Sequence, residues 1–280
     1  MRSAYKAEGI YFKYSDQWVI EDASFNIYEG EFFGIIGPNG SGKSSLLKLI
    51  SKINTPQSGQ IYLRETDITM IRRDELSKTV SYIPQESSFL FPYTVAETVS
   101  MGRYPHLKGK FFEDASDKRA VTEAMSWVGI DALRDKAITD ISGGEKQRAI
   151  IARGLAQEPD MLIMDEPTTS LDIGHQVDIF NLLSRLNVER KMTIITSLHD
   201  LNLGSQYCDR IMLIDRGKIS AIGTPLEIIT EENIRNVYGC NVIVDKNPVT
   251  GTPRVSLIPK DNAIQYYGHP DRNTSGSKSR

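Results

Sequence analysis

The run GPNGSGKS, from Gly37 to Ser44, constrains this chain more than any other feature. Its glycines let successive backbone N–H groups turn toward one point and let the main chain approach a ligand closely. A segment shaped that way presents donors to a polyphosphate, and a helix following it adds its positive end. The flanks fit that scaffold. EFFGIIG reads as a buried strand, and Leu46, Leu47, Leu49 and Ile50 then recur at helical spacing. Gly37, Pro38, Asn39, Gly40, Ser41 and Gly42 are therefore read as a phosphate-binding loop. Lys43 is placed to reach the β- and γ-phosphates and Ser44 to ligate Mg²⁺.

Downstream, MLIMDE is an apolar strand that ends in two carboxylates. After a phosphate loop, Asp165 is expected to hold the Mg²⁺ shell through water. Glu166 is expected to polarise the attacking water as general base. The runs MLIM, TIIT and IMLI are continuously apolar, the pattern of parallel strands covered on both faces, and they alternate with helical segments. The N-terminal runs YKAEGIYFKY and WVIEDASFNIY alternate instead, as half-buried antiparallel strands do. The spacing turns helical over about 86–155, where Thr94 with Glu97 and Ser142 with Glu145 both have capping-box spacing. GKISAIG reads as a short strand pair, and the polar stretch 260–280 as a flexible tail beyond one domain at 1–259.

Composition excludes several classes. The net charge of −3 gives no basic field for nucleic acid. No apolar stretch approaches the ~18 residues of a membrane span, and the opening MRSAYKAEGIYFKY has no apolar run, so no signal peptide is expected. Cys208 and Cys240 are read as reduced thiols, and no Cys/His cluster has zinc spacing.

With these motifs in hand, the chain resembles the ATP-binding subunits of ABC transporters. ISGGEKQRA, from Ile141 to Ala149, is similar to the family signature, and GPNGSGKS and LIMDEP to its two nucleotide motifs. Gln85 in YIPQ looks like the Q-loop glutamine, Ser170–Asp172 like the D-loop, His199 in SLHD like the switch histidine, and Tyr14 like the aromatic that stacks on adenine. The resemblance implies an α/β P-loop fold with an N-terminal antiparallel β-subdomain and an inserted helical subdomain. It also implies ATP and Mg²⁺ as ligands, with Gln85 touching the metal and His199 steadying the γ-phosphate. A second copy would close on each ATP with Ser142, Gly143, Gly144 and Asp172. The signature departs from the family pattern at Ile141 and Glu145. The capping-box spacing gives Ser142 a second reading, as the cap of its own helix.

FPYTVAETVSMGRYPHL and IRNVYGCNVIV resemble the importer subunits for iron chelates, haem and cobalamin. Those systems imply polytopic permease partners, an extracytoplasmic substrate-binding protein and a place on the cytoplasmic face of the membrane. Phe89, Phe91, Tyr93 and Tyr104 read either as a groove for a permease helix or as core of the helical subdomain. His175 reads as helix-surface packing. The rivals are an ATPase subunit for another cargo, a soluble ABC ATPase of DNA repair or translation, and a nucleotide sensor without catalysis. A spare nucleic-acid domain would mark the second, and loss of Glu166 or His199 the third.

Overall fold

A computed structural model describes residues 2–85, 89, 91–107 and 114–259. The expected tail at 260–280 lies outside these residues, as does part of the segment expected to be helical. Strands β1 (Ser3–Lys13) and β2 (Trp18–Tyr28) form an antiparallel pair, and β3 (Phe32–Ile36) leads into α1 (Lys43–Ile50). β4 (Ser58–Leu63) and β5 (Thr66–Asp67) complete a four-stranded sheet in the order β2-β1-β4-β5. Then come α2 (Arg73–Thr79), β6 (Val80–Ile83), α3 (Val95–Ser100), a 3₁₀ segment (Met101–His106), α4 (Ala115–Val128) and α5 (Gly143–Leu155). Both anticipated capping boxes are present, at Thr94 on α3 and Ser142 on α5.

The remaining chain alternates β7 (Met161–Met164), α6 (Ile173–Arg190), β8 (Thr193–Leu198), α7 (Leu201–Tyr207), β9 (Arg210–Asp215) and β10 (Lys218–Gly223). Two short helices, α8 (Pro225–Ile228) and α9 (Glu231–Tyr238), precede a hairpin of β11 (Val242–Lys246) and β12 (Pro253–Leu257). The second sheet has the order β10-β9-β3-β8-β7-β6 and is parallel except for β10. GKISAIG is therefore one edge strand, not a pair of its own. It folds back on β9 through Arg216 and Gly217, whose φ values of 44° and 79° suit the tight turn that a right-twisted hairpin needs.

The parallel strands split the core by period-two alternation. Phe32, Ile36, Leu162, Met164 and Ile194 face one apolar cluster with α5 and α6. Phe33, Ile35, Met161, Ile163 and Ile195 face another with α1 and the antiparallel sheet. Burying each such side chain contributes on the order of 1.5–3 kcal/mol. That burial sets the strand register, and the register decides which residues emerge together at the strand ends. β6, β7, β8 and β3 are consecutive neighbours running in one direction. The residues leaving their C-terminal ends therefore converge on one crevice, the general location of ligands in such sheets.

A candidate nucleotide site at the ends of four strands

The loop after β3 curls back on itself. The Ser41 N–H donates to Pro38 O at 3.2 Å, and Lys43 Nζ reaches across to Gly37 O at 2.9 Å and Pro38 O at 3.1 Å. Gly42 has φ 106°, and a Cβ there would stand 2.8 Å from Val19 O, so the turn tolerates no side chain. No side chain caps the start of α1, whose first N–H groups open toward the loop. Ser41 Oγ is buried without a hydrogen-bond partner. Free amides, an orphaned hydroxyl and a nearly buried ammonium are the donor set a polyphosphate requires. Burial pulls the Lys43 pKa down, and the carboxylates of Glu166 and Asp165 oppose that shift.

The acids follow β7. Asp165, only 3% exposed, accepts from Ser44 Oγ at 3.0 Å and Ser197 Oγ at 2.7 Å. Ser44 and Asp165 thus put a hydroxyl and a carboxylate side by side, hard oxygen donors that fit Mg²⁺. Glu166 turns into the left-handed region at φ 49°, a sparsely populated conformation for a side chain of its size. One oxygen accepts from Gln85 Nε2 at 2.7 Å and Thr169 Oγ1 at 3.2 Å. The other lies 2.5 Å from His199 Nε2 and 4.0 Å from Lys43 Nζ. Each partner arrives from a different strand end: Gln85 after β6, His199 after β8 and Lys43 after β3.

Ser197 and Thr169 belong to this cluster although the sequence reading passed over them. Ser197 Oγ donates to Asp165 while accepting the Glu166 N–H at 2.9 Å, so one hydroxyl fixes both acids. Its only local signal is a hydroxyl just after the TIIT run, two residues before His199. A cavity of about 490 Å³ is walled by Asn39–Ser45, Gln85, Glu166, Thr169, His199 and Val19.

Gly37, Pro38 and Asp165 lie just behind that wall, bonded to Lys43 or Ser44, whereas Tyr14, Ser142, Gly143, Gly144 and Asp172 stand apart from it. The Tyr14 hydroxyl sits beside α1, accepting from Asn54 Nδ2 at 3.1 Å and Ser45 Oγ at 3.4 Å, while its side chain is exposed. Ser142, Gly143 and Gly144 begin α5, and Asp172 caps α6 by accepting from the His175 N–H. The Gly143 turn lies against Leu171, so these four form a second group, with Ser142, Gly143 and Asp172 exposed and Gly144 buried beneath them.

The sequence profile of the ABC transporter family matches residues 20–169. The ferric enterobactin transport ATP-binding protein FepC of Escherichia coli is 40% identical over 250 residues, 89% of this chain and 92% of FepC. The chain belongs to the ABC transporter family. It is an ABC ATPase, a subunit that binds and hydrolyses ATP. The iron(3+)-hydroxamate import ATP-binding protein FhuC of Bacillus subtilis is 35% identical, over 86% of this chain and 89% of FhuC. Among solved structures, a dimeric ATP-binding cassette in a post-hydrolysis state, bound to ADP and Pi, superposes with a TM-score of 0.68 at 27% identity. That match covers 79% of this chain and 98% of the cassette. Among the described residues, no helix of this ABC ATPase is long and apolar enough to cross a membrane.

Proposed function

We propose that this ABC ATPase powers a membrane importer of iron-siderophore, haem or cobalamin-type chelates, with ATP sandwiched between two copies of the chain. One observation carries the two-copy reading. The catalytic carboxylate and phosphate loop share one cavity, while Ser142–Gly144 and Asp172 lie outside it on the same chain. A second copy brings its own Ser142–Gly144 to the exposed side of the triphosphate, and the dimeric cassette that this chain resembles supports that assembly.

The backbone N–H groups of the Gly37–Ser44 loop, in which Pro38 has none, and the Lys43 ammonium hold the phosphates in line. Glu166 takes the proton of the attacking water, and His199, whose Nε2 lies 2.5 Å from its carboxylate, keeps that carboxylate oriented and the γ-phosphate steady. Ser44, Asp165 and Gln85 are the residues to hold Mg²⁺, which neutralises charge on the β- and γ-oxygens when bound. Tyr14 stands at the edge of the loop for the adenine ring, on which an exposed phenol can stack.

Iron-chelate cargo is the reading favoured by the names of FepC and FhuC. Phe91, Tyr93 and Tyr104 are exposed, and Tyr104 lines a groove of about 660 Å³ with Ala96, Glu97, Ser100, Met101 and Leu107. Those aromatics suit a helix of a polytopic permease, whereas Phe89 is packed inward under Lys146 and Arg153. Docking there would hold the chain at the cytoplasmic face of the membrane, beneath a permease fed by an extracytoplasmic binding protein. The test is uptake by cells lacking this chain, given iron-loaded siderophore, haem or cobalamin. Loss of one uptake, restored by the wild-type chain but not by Glu166→Gln, is the expected result. Normal uptake of all three would overturn the cargo reading.

A further inference from the structure

The starts of α5 and α6 are joined by a side chain that the nucleotide cluster does not use. Gly144 lies buried in the first turn of α5 with helical backbone angles, so its conformation does not demand glycine. Space does. A Cβ there would stand 2.3 Å from Cδ2 of His175 and 2.9 Å from Cγ and Nε2 of the same ring. The imidazole rests directly on the signature backbone.

Asp172 holds the ring in that place. His175 Nδ1 lies 2.9 Å and 2.8 Å from the two carboxylate oxygens, and the His175 backbone N–H donates to Oδ1 at 2.9 Å. A carboxylate only accepts, so Nδ1 carries the hydrogen. The backbone bond and then the ring bond hold the Asp172 carboxyl below its ordinary range, keeping it ionised. One turn further along, Arg148 Nη2 reaches Asp178 Oδ2 at 3.3 Å, a second tie between the same two helices. His175 and Asp172 are nevertheless 45% and 71% exposed, which is not how a histidine that only fills a core is placed.

We propose that His175 is a positioning residue that locks the Ser142–Gly144 turn to the Asp172 turn of its own chain. The partner copy's ATP then meets both turns as one rigid surface. This rests on the two-copy site proposed above. Without the lock, α5 meets that ATP with Ser142 free to shift relative to Asp172, and small displacements of contacting groups cost large factors in rate.

The test uses the full chain with Glu166→Gln, in which ATP-driven pairing is followed by light scattering, and the chain with Glu166 intact for turnover. His175→Ala is expected to leave ATP affinity within twofold at dilutions where chains are single. It should weaken ATP-driven pairing roughly tenfold or more and lower kcat by a similar factor, with KM little changed. His175→Asn, which keeps an N–H donor for Asp172 but not the ring atoms that lie on Gly144, is expected to recover part of both losses. Pairing by His175→Ala within twofold of its parent, or His175→Asn no better than alanine, overturns the lock. Collapse of single-chain ATP affinity in His175→Ala also overturns it, because the role would then be structural. A Glu166→Gln parent that binds ATP yet stays single overturns the two-copy site itself, and the lock with it.

Discussion

The strand-end cluster and the helix-start group use similar chemistry, carboxylates and hydroxyls meeting backbone N–H groups, in opposite settings. Lys43, Asp165 and Glu166 are buried and joined in one network with Ser44, Ser197, Gln85 and His199. Ser142 and Asp172 are exposed, and each satisfies the first turn of its own helix. A buried network acts as a unit and loses much when one member goes. A surface cap is worth about 1 kcal/mol to its helix and is easily exchanged for another partner. The first arrangement suits a site that a single chain completes, and the second a surface that waits for another molecule.

The sharpest way to break that contrast is at the buried acid. Glu166→Gln should slow phosphate release by ~10²–10⁴-fold, the usual worth of a positioned base, while ATP still binds. Turnover within tenfold of wild type would remove Glu166 as the base. Lys43→Ala should weaken single-chain ATP binding by roughly 10–100-fold, the span for hydrogen bonds to a charged group. Calorimetry at low protein concentration reads that loss directly. Ser142→Ala should do the reverse. Single-chain ATP affinity should hold, folding stability should drop by about 1 kcal/mol, and turnover should fall further than that instability explains. If the turnover loss matches the stability loss, Ser142 is a cap and nothing more.

Legibility followed the same divide. Asp165 and Glu166 could be placed because they end an apolar run, where the local pattern marks the tip of a strand, and Lys43 because it closes a glycine loop at the start of a helix. The antiparallel and parallel strands separated cleanly by alternation against continuous burial. Ser197 and Thr169 were not legible, since their value comes from which strands lie side by side, and pairing order is not written into any one segment. Arg216–Gly217 carried a turn signal, but GKISAIG could be joined to β9 only by counting the preceding strand as its partner. His175 looks like surface packing in the sequence, because nothing local shows that its ring lies on Gly144, 31 positions earlier in the chain.

The smallest effect concerns the position where this signature carries Glu145. Ser142 donates both its N–H and its hydroxyl to one oxygen of that carboxylate, each at 2.8 Å, while the Glu145 N–H donates to Ser142 Oγ at 3.3 Å. In the proposed two-copy site, the hydroxyl proton that the partner's phosphate would take is therefore already given to Glu145. Glu145→Gln replaces a charged acceptor by a neutral one, so the hydroxyl is released more readily. It also removes a negative charge from beside an incoming triphosphate. ATP-driven pairing should tighten by roughly two- to threefold, a modest gain because the group is solvated. Stability should move the other way. The backbone N–H and hydroxyl of Ser142 hold the Glu145 carboxyl below its ordinary 4.5, so the cap stabilises the folded chain above that pH. Its contribution is lost as pH falls through the depressed value, and glutamine does not titrate there. The wild type should thus have the higher thermal midpoint at neutral pH, and the gap should close in acid. A glutamine variant that is less stable at neutral pH and also pairs more weakly would mean that the cap assists the partner's phosphate instead of competing with it.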